Sequence, residues 1–154
     1  MKEWPVTEEQ IQPVLNKILA SGSLLRIPKH PAHRQIVMAF LSLHLERRYP
    51  YSESELKGVL NDALDMFNSR VDHVTCRRYL VDLGFLKRDR AGSRYYLNYL
   101  KLAEILVSTV TLEHAQVMTT TALNKRNRKK QLNKQDQVKP ARSDKQLSRG
   151  SSEK

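Results

Sequence analysis

The chain has 154 residues, of which 40% are hydrophobic and 28% are charged, and its formal net charge is +11 at pH 7. This length gives room for one modest domain with appendages. Because the sequence has no apolar run of about 18 residues and no apolar signal-peptide core, we expect a cytoplasmic protein without a membrane span. A single cysteine excludes an internal disulfide and fits a reducing compartment.

Residues 1–21 predict one amphipathic helix that precedes the main domain. Thr7 and Gln10 form a capping box, in which the two side chains satisfy the free N–H groups of the first turn. Pro13 lies just past that turn and should bend the helix or delay its start. The helix is expected to end near Ala20, where Ser21-Gly22-Ser23 follows.

Two further helices are predicted before residue 72. Pro28 and Pro31 favour an extended connector, after which a helix can run from about Ala32 to about Glu46. Ser52 and Glu55 form a second capping box. Behind that box, apolar residues recur at helical spacing, namely Leu56, Val59, Leu60, Ala63, Leu64 and Phe67.

A third helix is predicted between Asp72 and Gly84, because Asp72 is a good N-cap and glycine readily adopts the left-handed conformation that ends a helix. At 100° per residue, one stripe faces the core and consists of Cys76, Tyr79, Leu80 and Leu83. The opposite face carries Val74, Arg77, Arg78 and Val81. The cysteine should therefore be a small core residue.

From Phe85 to Leu97 the apolar period changes to two around the turn Arg90-Ala91-Gly92, which predicts a β-hairpin. The resulting order is helix, helix, turn, helix, hairpin. We therefore predict a mainly α fold of the winged helix-turn-helix type over residues 22–97, with a three-helix core and a two-stranded wing.

A family resemblance lies in this region. Residues 77–88 read Arg-Arg-Tyr-Leu-Val-Asp-Leu-Gly-Phe-Leu-Lys-Arg, Gly-Ser-Arg-Tyr-Tyr follows, and Tyr-Ser-Glu-Ser-Glu-Leu precedes them at residues 51–56. Because of this pattern, the segment from about residue 28 to 97 resembles the bacterial family called domain of unknown function 2087. The resemblance implies a small winged helix, sometimes fused to a repressor-type domain of the ArsR kind, and a role in transcriptional regulation.

After Leu97, apolar residues at three- and four-residue intervals are compatible with a long helix over residues 98–123, which is a candidate homodimer contact. The β-branched residues of this segment leave a broken helix or a strand as alternatives. Residues 124–154 are polar, and we expect a disordered tail. Residues 125–154 carry eleven Lys and Arg against three acidic residues, and residues 22–97 carry thirteen against eight. Both segments point to a polyanion.

The predicted contacts follow from the fold. The third helix would enter the major groove with Thr75, Arg77 and Arg78. The wing would contact phosphates through Lys87, Arg88, Arg90 and Arg94, and the tail through Lys125, Arg126, Arg128, Lys129 and Lys130. The alternatives are that Arg78 pairs with Asp82, that the wing arginines hold Asp82 or Asp89, and that the tail only aids solubility.

DNA is favoured over RNA as the partner, and a sequence-specific regulator is the leading hypothesis. The alternatives are a module that binds RNA, the ribosome or a protein, and a zinc sensor built from His30, His33, His73 and Cys76. The zinc site is disfavoured because Cys76 points inward. No phosphate-binding loop, nucleophile elbow or carboxylate pair is present, so we expect neither an enzyme nor a cofactor.

Overall fold

The computed structural model describes residues 4–137, and their side chains as far as Asn124. Its elements in chain order are α1 (Glu8–Ile18), α2 (Pro31–Ser42), α3 (Glu53–Met66), α4 (His73–Asp82), β1 (Leu86–Arg88), β2 (Tyr95–Leu97), α5 (Tyr99–Ile105) and α6 (Leu112–Gln137). The predicted winged-helix order is confirmed: α2, α3 and α4 form the helical core and β1–β2 form the wing.

The wing is a short hairpin to which one residue of the α2–α3 connection also pairs. β1 and β2 pair antiparallel, with Leu86 opposite Leu97 and Arg88 opposite Tyr95. Tyr51, in the connection between α2 and α3, exchanges two backbone hydrogen bonds of 2.9 Å with Tyr95. This bridge ties the α2–α3 connection to the outer side of β2, and it therefore fixes the wing against the helical core.

Local capping chemistry sets the bounds of α4. The Asp72 carboxylate accepts the backbone N–H of Thr75 at 2.7 Å and begins the helix. Gly84 has a φ of +91°, and the Phe85 N–H donates to the Leu80 carbonyl at 2.8 Å. This is the hydrogen bond of a Schellman ending, and the buried Phe85 ring accompanies it. Both predicted ends of this helix are confirmed.

The core lies between α2, α3, α4 and the terminal helices. Its largest fully buried rings are Phe40, Phe67 and Phe85, and Cys76 is also fully buried, as its position on the inner stripe predicted. The predicted end of α2 at Glu46 was wrong. The helix ends at Ser42, because the following N–H groups of His44 and Leu45 bond to carbonyls three residues back and tighten the chain into turns.

The two ends of the described chain pack together. α1 lies against α6, where the Gln12 side-chain amide donates to the Met118 carbonyl at 3.0 Å. Val6 bridges Leu106 in parallel, and its N–H donates to the Ile105 carbonyl at 2.9 Å. The Thr7–Gln10 capping box is present and α1 begins at Glu8, so Pro13 does not delay its start.

Residues 98–123 form two helices instead of one. α5 ends at Ile105 and α6 begins at Leu112, with the β-branched run between them in turns. The regularly spaced apolar residues of this segment do not share one exposed side. Leu106 and Val110 are buried, whereas Leu100 is 79% and Val117 is 61% exposed. The broken helix left open as an alternative is therefore the observed form, and the homodimer contact stays a prediction.

The last helix also extends further than predicted. α6 continues past Asn124 to Gln137, whereas disorder was expected from residue 124 onward. Lys, Arg and Gln are good helix formers, and adding residues to an existing helix costs far less than nucleating one. The rest of the predicted tail, residues 138–154, lies outside the described residues. Within residues 4–137, no helix has the length and apolarity needed to cross a bilayer.

Candidate nucleic-acid interface

The side of α4 that faces away from the core forms one wall of an open cleft, and the hairpin forms the other. The cleft has a volume of about 380 Å³. Its lining combines three arginines, two acids and an apolar floor, namely Arg77, Arg78, Arg88, Glu53, Asp82, Val74, Val81 and Tyr95. The predicted recognition helix and wing therefore share one surface.

Arg78 is the free cation of α4. Its side chain is exposed and lines the cleft. It makes no hydrogen bond or ion pair with any residue of the described chain, so the alternative pairing with Asp82 is not observed. Its five N–H donors are available to a ligand.

Arg77 is already engaged. Its Nη1 lies 2.9 Å from Oε2 of Glu53, at the start of α3, and its guanidinium carbon lies 5.7 Å from the centre of the Tyr95 ring. The Arg77 side chain is 22% exposed and that of Glu53 is 74% exposed, so the pair sits at the rim of the cleft. Arg77 is therefore placed near the predicted surface, but its charge is neutralised in the free protein.

Thr75 is also occupied. Besides its N–H bond, its hydroxyl donates to Oδ2 of Asp72 at 3.3 Å. The backbone N–H of Thr75 is the main cause that holds the pKa of Asp72 below its ordinary value. Thr75 thus helps to begin α4, and it does not line the cleft.

In the wing, Arg88 turns back on its own hairpin. Its Nη2 donates to the Gly92 carbonyl at 3.1 Å, and its guanidinium carbon lies 5.3 Å from the centre of the Tyr95 ring. Arg77 and Arg88 therefore both lie within cation–π range of this ring. These contacts order the cleft wall while leaving Arg88 exposed at the surface.

The tip of the wing is held by Asp89. Its carboxylate accepts the N–H of Ser93 at 2.8 Å and the N–H of Arg94 at 3.3 Å. Partial desolvation acts to raise the pKa of Asp89, but the hydrogen bonds from Arg94, Ser93 and Gly92 outweigh it and the pKa is lowered. The carboxylate is thus used by backbone groups instead of the arginine side chains that the alternative considered.

The remaining wing cations are exposed. Within the described part of the chain, Lys87 and Arg90 make no hydrogen bond or ion pair. Hydrogen bonds from Ser52 and Tyr49 lower the pKa of the Glu55 carboxyl, and the nearby charge of Arg94 adds to this effect. The basic residues predicted in the tail fall within α6, in a part whose side chains are outside the described ones: Lys125, Arg126, Arg128, Lys129 and Lys130.

The structure gives the zinc alternative no support. The Cys76 thiol is fully buried, and burial raises its pKa to about 12, whereas a metal ligand must be a thiolate. The rings of His30 and His33 stack with centroids 4.2 Å apart, and Nδ1 of His30 accepts the N–H of Ala32. Among the side chains described, no three His, Cys, Asp or Glu converge on a common point.

Sequence reasoning missed the roles of three contributors to this surface. Tyr95 is recognisable only as an apolar strand residue, and its place between two arginines depends on how the wing folds against α4. Glu53 is twenty-four residues from Arg77, so no local spacing connects them. Val74 was placed on the outward face of the helix, but its role in the cleft was not considered.

Comparison with known proteins gives a match for the winged-helix segment alone. Neither the curated proteins nor the solved structures contain a match to the chain. Residues 23–97, which include the connector before α2, the three core helices and the hairpin, match a family model described as an uncharacterized protein conserved in bacteria. This segment thus matches the model of the bacterial family called domain of unknown function 2087.

Proposed function

We propose that this protein is a cytoplasmic, non-enzymatic DNA-binding regulator of transcription. One observation carries the proposal: the free guanidinium of Arg78 on α4 and the exposed Arg88 of the hairpin line the same open cleft. Between residues 72 and 97 the chain has six Lys and Arg against three Asp. Two of these acids, Asp72 and Asp89, are occupied by hydrogen bonds to the backbone. The surface therefore offers positive charge to a polyanion.

The fold suggests how the contacts are divided. α4 enters the major groove, where Arg78 binds O6 and N7 of a guanine with two parallel hydrogen bonds. Lys87 and Arg90 of the hairpin lie against phosphates of the adjoining backbone, which positions the protein without reading sequence. A guanine contact of this kind contributes about 1–3 kcal/mol of discrimination.

The basic tail adds contacts that do not depend on sequence. The cluster at residues 125–130 holds five Lys and Arg. Each phosphate that it neutralises changes the slope of log K against log salt by about −0.9. Its function is to raise the affinity for any duplex, while α4 selects the site.

A homodimer through residues 98–123 completes the proposal. Leu100 and Val117 are the large, strongly exposed apolar residues of this segment. A two-fold dimer would place two copies of α4 about 34–36 Å apart, one turn of DNA. The operator would then contain two inverted half-sites with that spacing.

Selection of binding sequences from random duplexes by the full-length protein tests the proposal. We expect an enriched motif with two-fold symmetry, and a 10- to 100-fold loss of affinity for it in Arg78→Ala. Lys17→Ala is the charge control, because it also removes one exposed positive charge, but from α1, the helix that packs on α6. No enriched motif, together with unchanged duplex affinity in Arg78→Ala, would reject DNA reading. Salt-sensitive binding to structured RNA would then favour the alternative, an RNA-binding winged helix.

A further inference from the structure

Val74 is an apolar side chain in the middle of the basic surface. It is the second residue of α4, is 48% exposed and lines the cleft, and it is not part of the apolar core cluster. Scattered exposed valines are ordinary on protein surfaces. Val74 differs because its position, on the N-terminal part of a recognition helix, is where such helices contact base edges.

Val74 and Arg78 lie side by side. They are four residues apart, so they occupy neighbouring positions on the same face of α4, separated by about 6 Å along the helix axis. Both line the same cleft, and Arg78 has no partner within the described chain. α4 therefore presents an apolar side chain, Val74, next to a guanidinium with several N–H donors, Arg78.

The major groove offers one pair of groups that matches this arrangement. The C5-methyl group of thymine is its apolar contact, and guanine presents two acceptors, O6 and N7. Bases follow one another at about 3.4 Å along each strand, so side chains about 6 Å apart reach bases one or two steps apart.

We propose that Val74 contacts the C5-methyl group of a thymine within two base pairs of the guanine bound by Arg78. This inference rests on the proposed function and deepens it, because it names the bases in each half-site. The cleft is lined by three arginines and two acids, and this excess of positive charge supports a nucleic acid over a protein as the occupant.

Replacing thymines one at a time by deoxyuridine in the selected duplex tests this contact, since it removes the methyl group and keeps the base pair. For the full-length protein we expect about a fourfold loss of affinity at one position of each half-site, corresponding to one buried methyl. In Val74→Ala this sensitivity disappears, so the two changes are not additive. Val74→Thr keeps a methyl group and retains part of the sensitivity.

Leu25→Ala is the matched control, because Leu25 is an exposed apolar residue in the connector before α2, outside both the cleft lining and residues 98–123, and the sensitivity of this variant to deoxyuridine should equal that of the unmodified chain. If a motif is enriched but no thymine is sensitive, or if Val74→Ala loses as much as the unmodified chain, the methyl contact is overturned while the regulator proposal stands. If no motif is enriched and Arg78→Ala leaves duplex affinity unchanged, both are overturned.

Discussion

The described chain contains two surface depressions of similar size and opposite chemistry. The cleft between α4 and the hairpin has a volume of about 380 Å³ and is lined by three arginines and two acids. A groove of about 480 Å³ lies between the N-terminal segment, the end of α2 and α5, and no charged residue lines it. Its walls include Pro5, Leu43, Leu102, Leu106 and Val110.

We expect the two depressions to serve different purposes, the cleft for binding and the groove for stability of the fold. The cleft keeps Arg78 unpaired and exposed, although a free guanidinium adds nothing to folding. The groove is formed where the terminal segments cover α2, and its lining includes buried core residues such as Leu102 and Leu106. Substitutions in the cleft should therefore change duplex affinity with little effect on unfolding, and substitutions in the groove should do the reverse.

The largest expected effect is in the groove. Leu102 is 6% exposed on α5, and Leu102→Ala should lower the free energy of unfolding by about 2–5 kcal/mol, because it removes buried methyl groups and leaves a cavity. Urea denaturation measures this loss. Affinity for the selected duplex, measured at a temperature where the variant is folded, should not change. Loss of duplex binding by a folded variant would break the distinction between the two regions.

The next effect concerns the tail. A chain that ends at Leu123 keeps Ala115, Met118, Thr119 and Ala122, the buried residues of α6 in the described part of that helix. It loses the eleven Lys and Arg of residues 125–154, five of them at residues 125–130, so the slope of log K against log salt should become shallower by about 0.9 for each lost phosphate contact. Fluorescence anisotropy across a salt series measures the slope. The selected motif should be unchanged, and a changed motif would assign base reading to the tail.

A smaller effect is expected from the acid in the cleft. Glu53→Gln removes a negative charge that would face phosphate and frees Arg77 to bind it. The Arg77–Glu53 pair is exposed at its acidic end, and such pairs contribute about 0.2–1 kcal/mol, so duplex affinity should rise by a factor of about 1.4 to 5. Glu104→Gln is the matched control, since Glu104 pairs with Lys101 on α5. A fall in affinity in Glu53→Gln would mean that the pair holds the cleft in its binding shape.

The smallest expected effect is a pH dependence beside the groove. Burial lowers the pKa of His44 below 6.5, partly offset by the backbone of Phe40 and Leu41 and by the charge of Asp62. The unfolded chain therefore binds a proton at a higher pH than the folded chain, so stability is full above pH 6.5 and decreases as the pH falls below it. Thermal unfolding between pH 7.5 and 5.5 should show this decrease, and His44→Gln should reduce it. An identical decrease in the variant would assign it to another group.

The sequence alone was sufficient where local chemistry decides the structure. Asp72 and Gly84 set the two ends of α4 through hydrogen bonds within a few residues. Ser52 and Glu55 set the start of α3 in the same way. The wing follows from its alternating pattern and turn. For these elements the informative residues lie next to the feature that they determine.

The sequence was not sufficient where distant segments meet. The pairing of Arg77 with Glu53 depends on how α3 crosses α4, and the Tyr51 bridge depends on where the α2–α3 connection meets the wing. The division of the apolar residues after Leu97 depends on α1, because α6 buries its inner side against that helix. These outcomes arise from packing between elements, which residue spacing within one element does not contain.

The central claim is that α4 and the hairpin, and not the apolar groove, meet the duplex. The most direct measurement is a titration of the isotope-labelled full-length protein with the selected duplex, followed by the amide signals in NMR spectra. We predict the largest changes at His73–Asp82 and across the hairpin, with α1 and the residues lining the groove nearly unchanged. Changes concentrated at the groove, with α4 and the hairpin unaffected, would contradict the account.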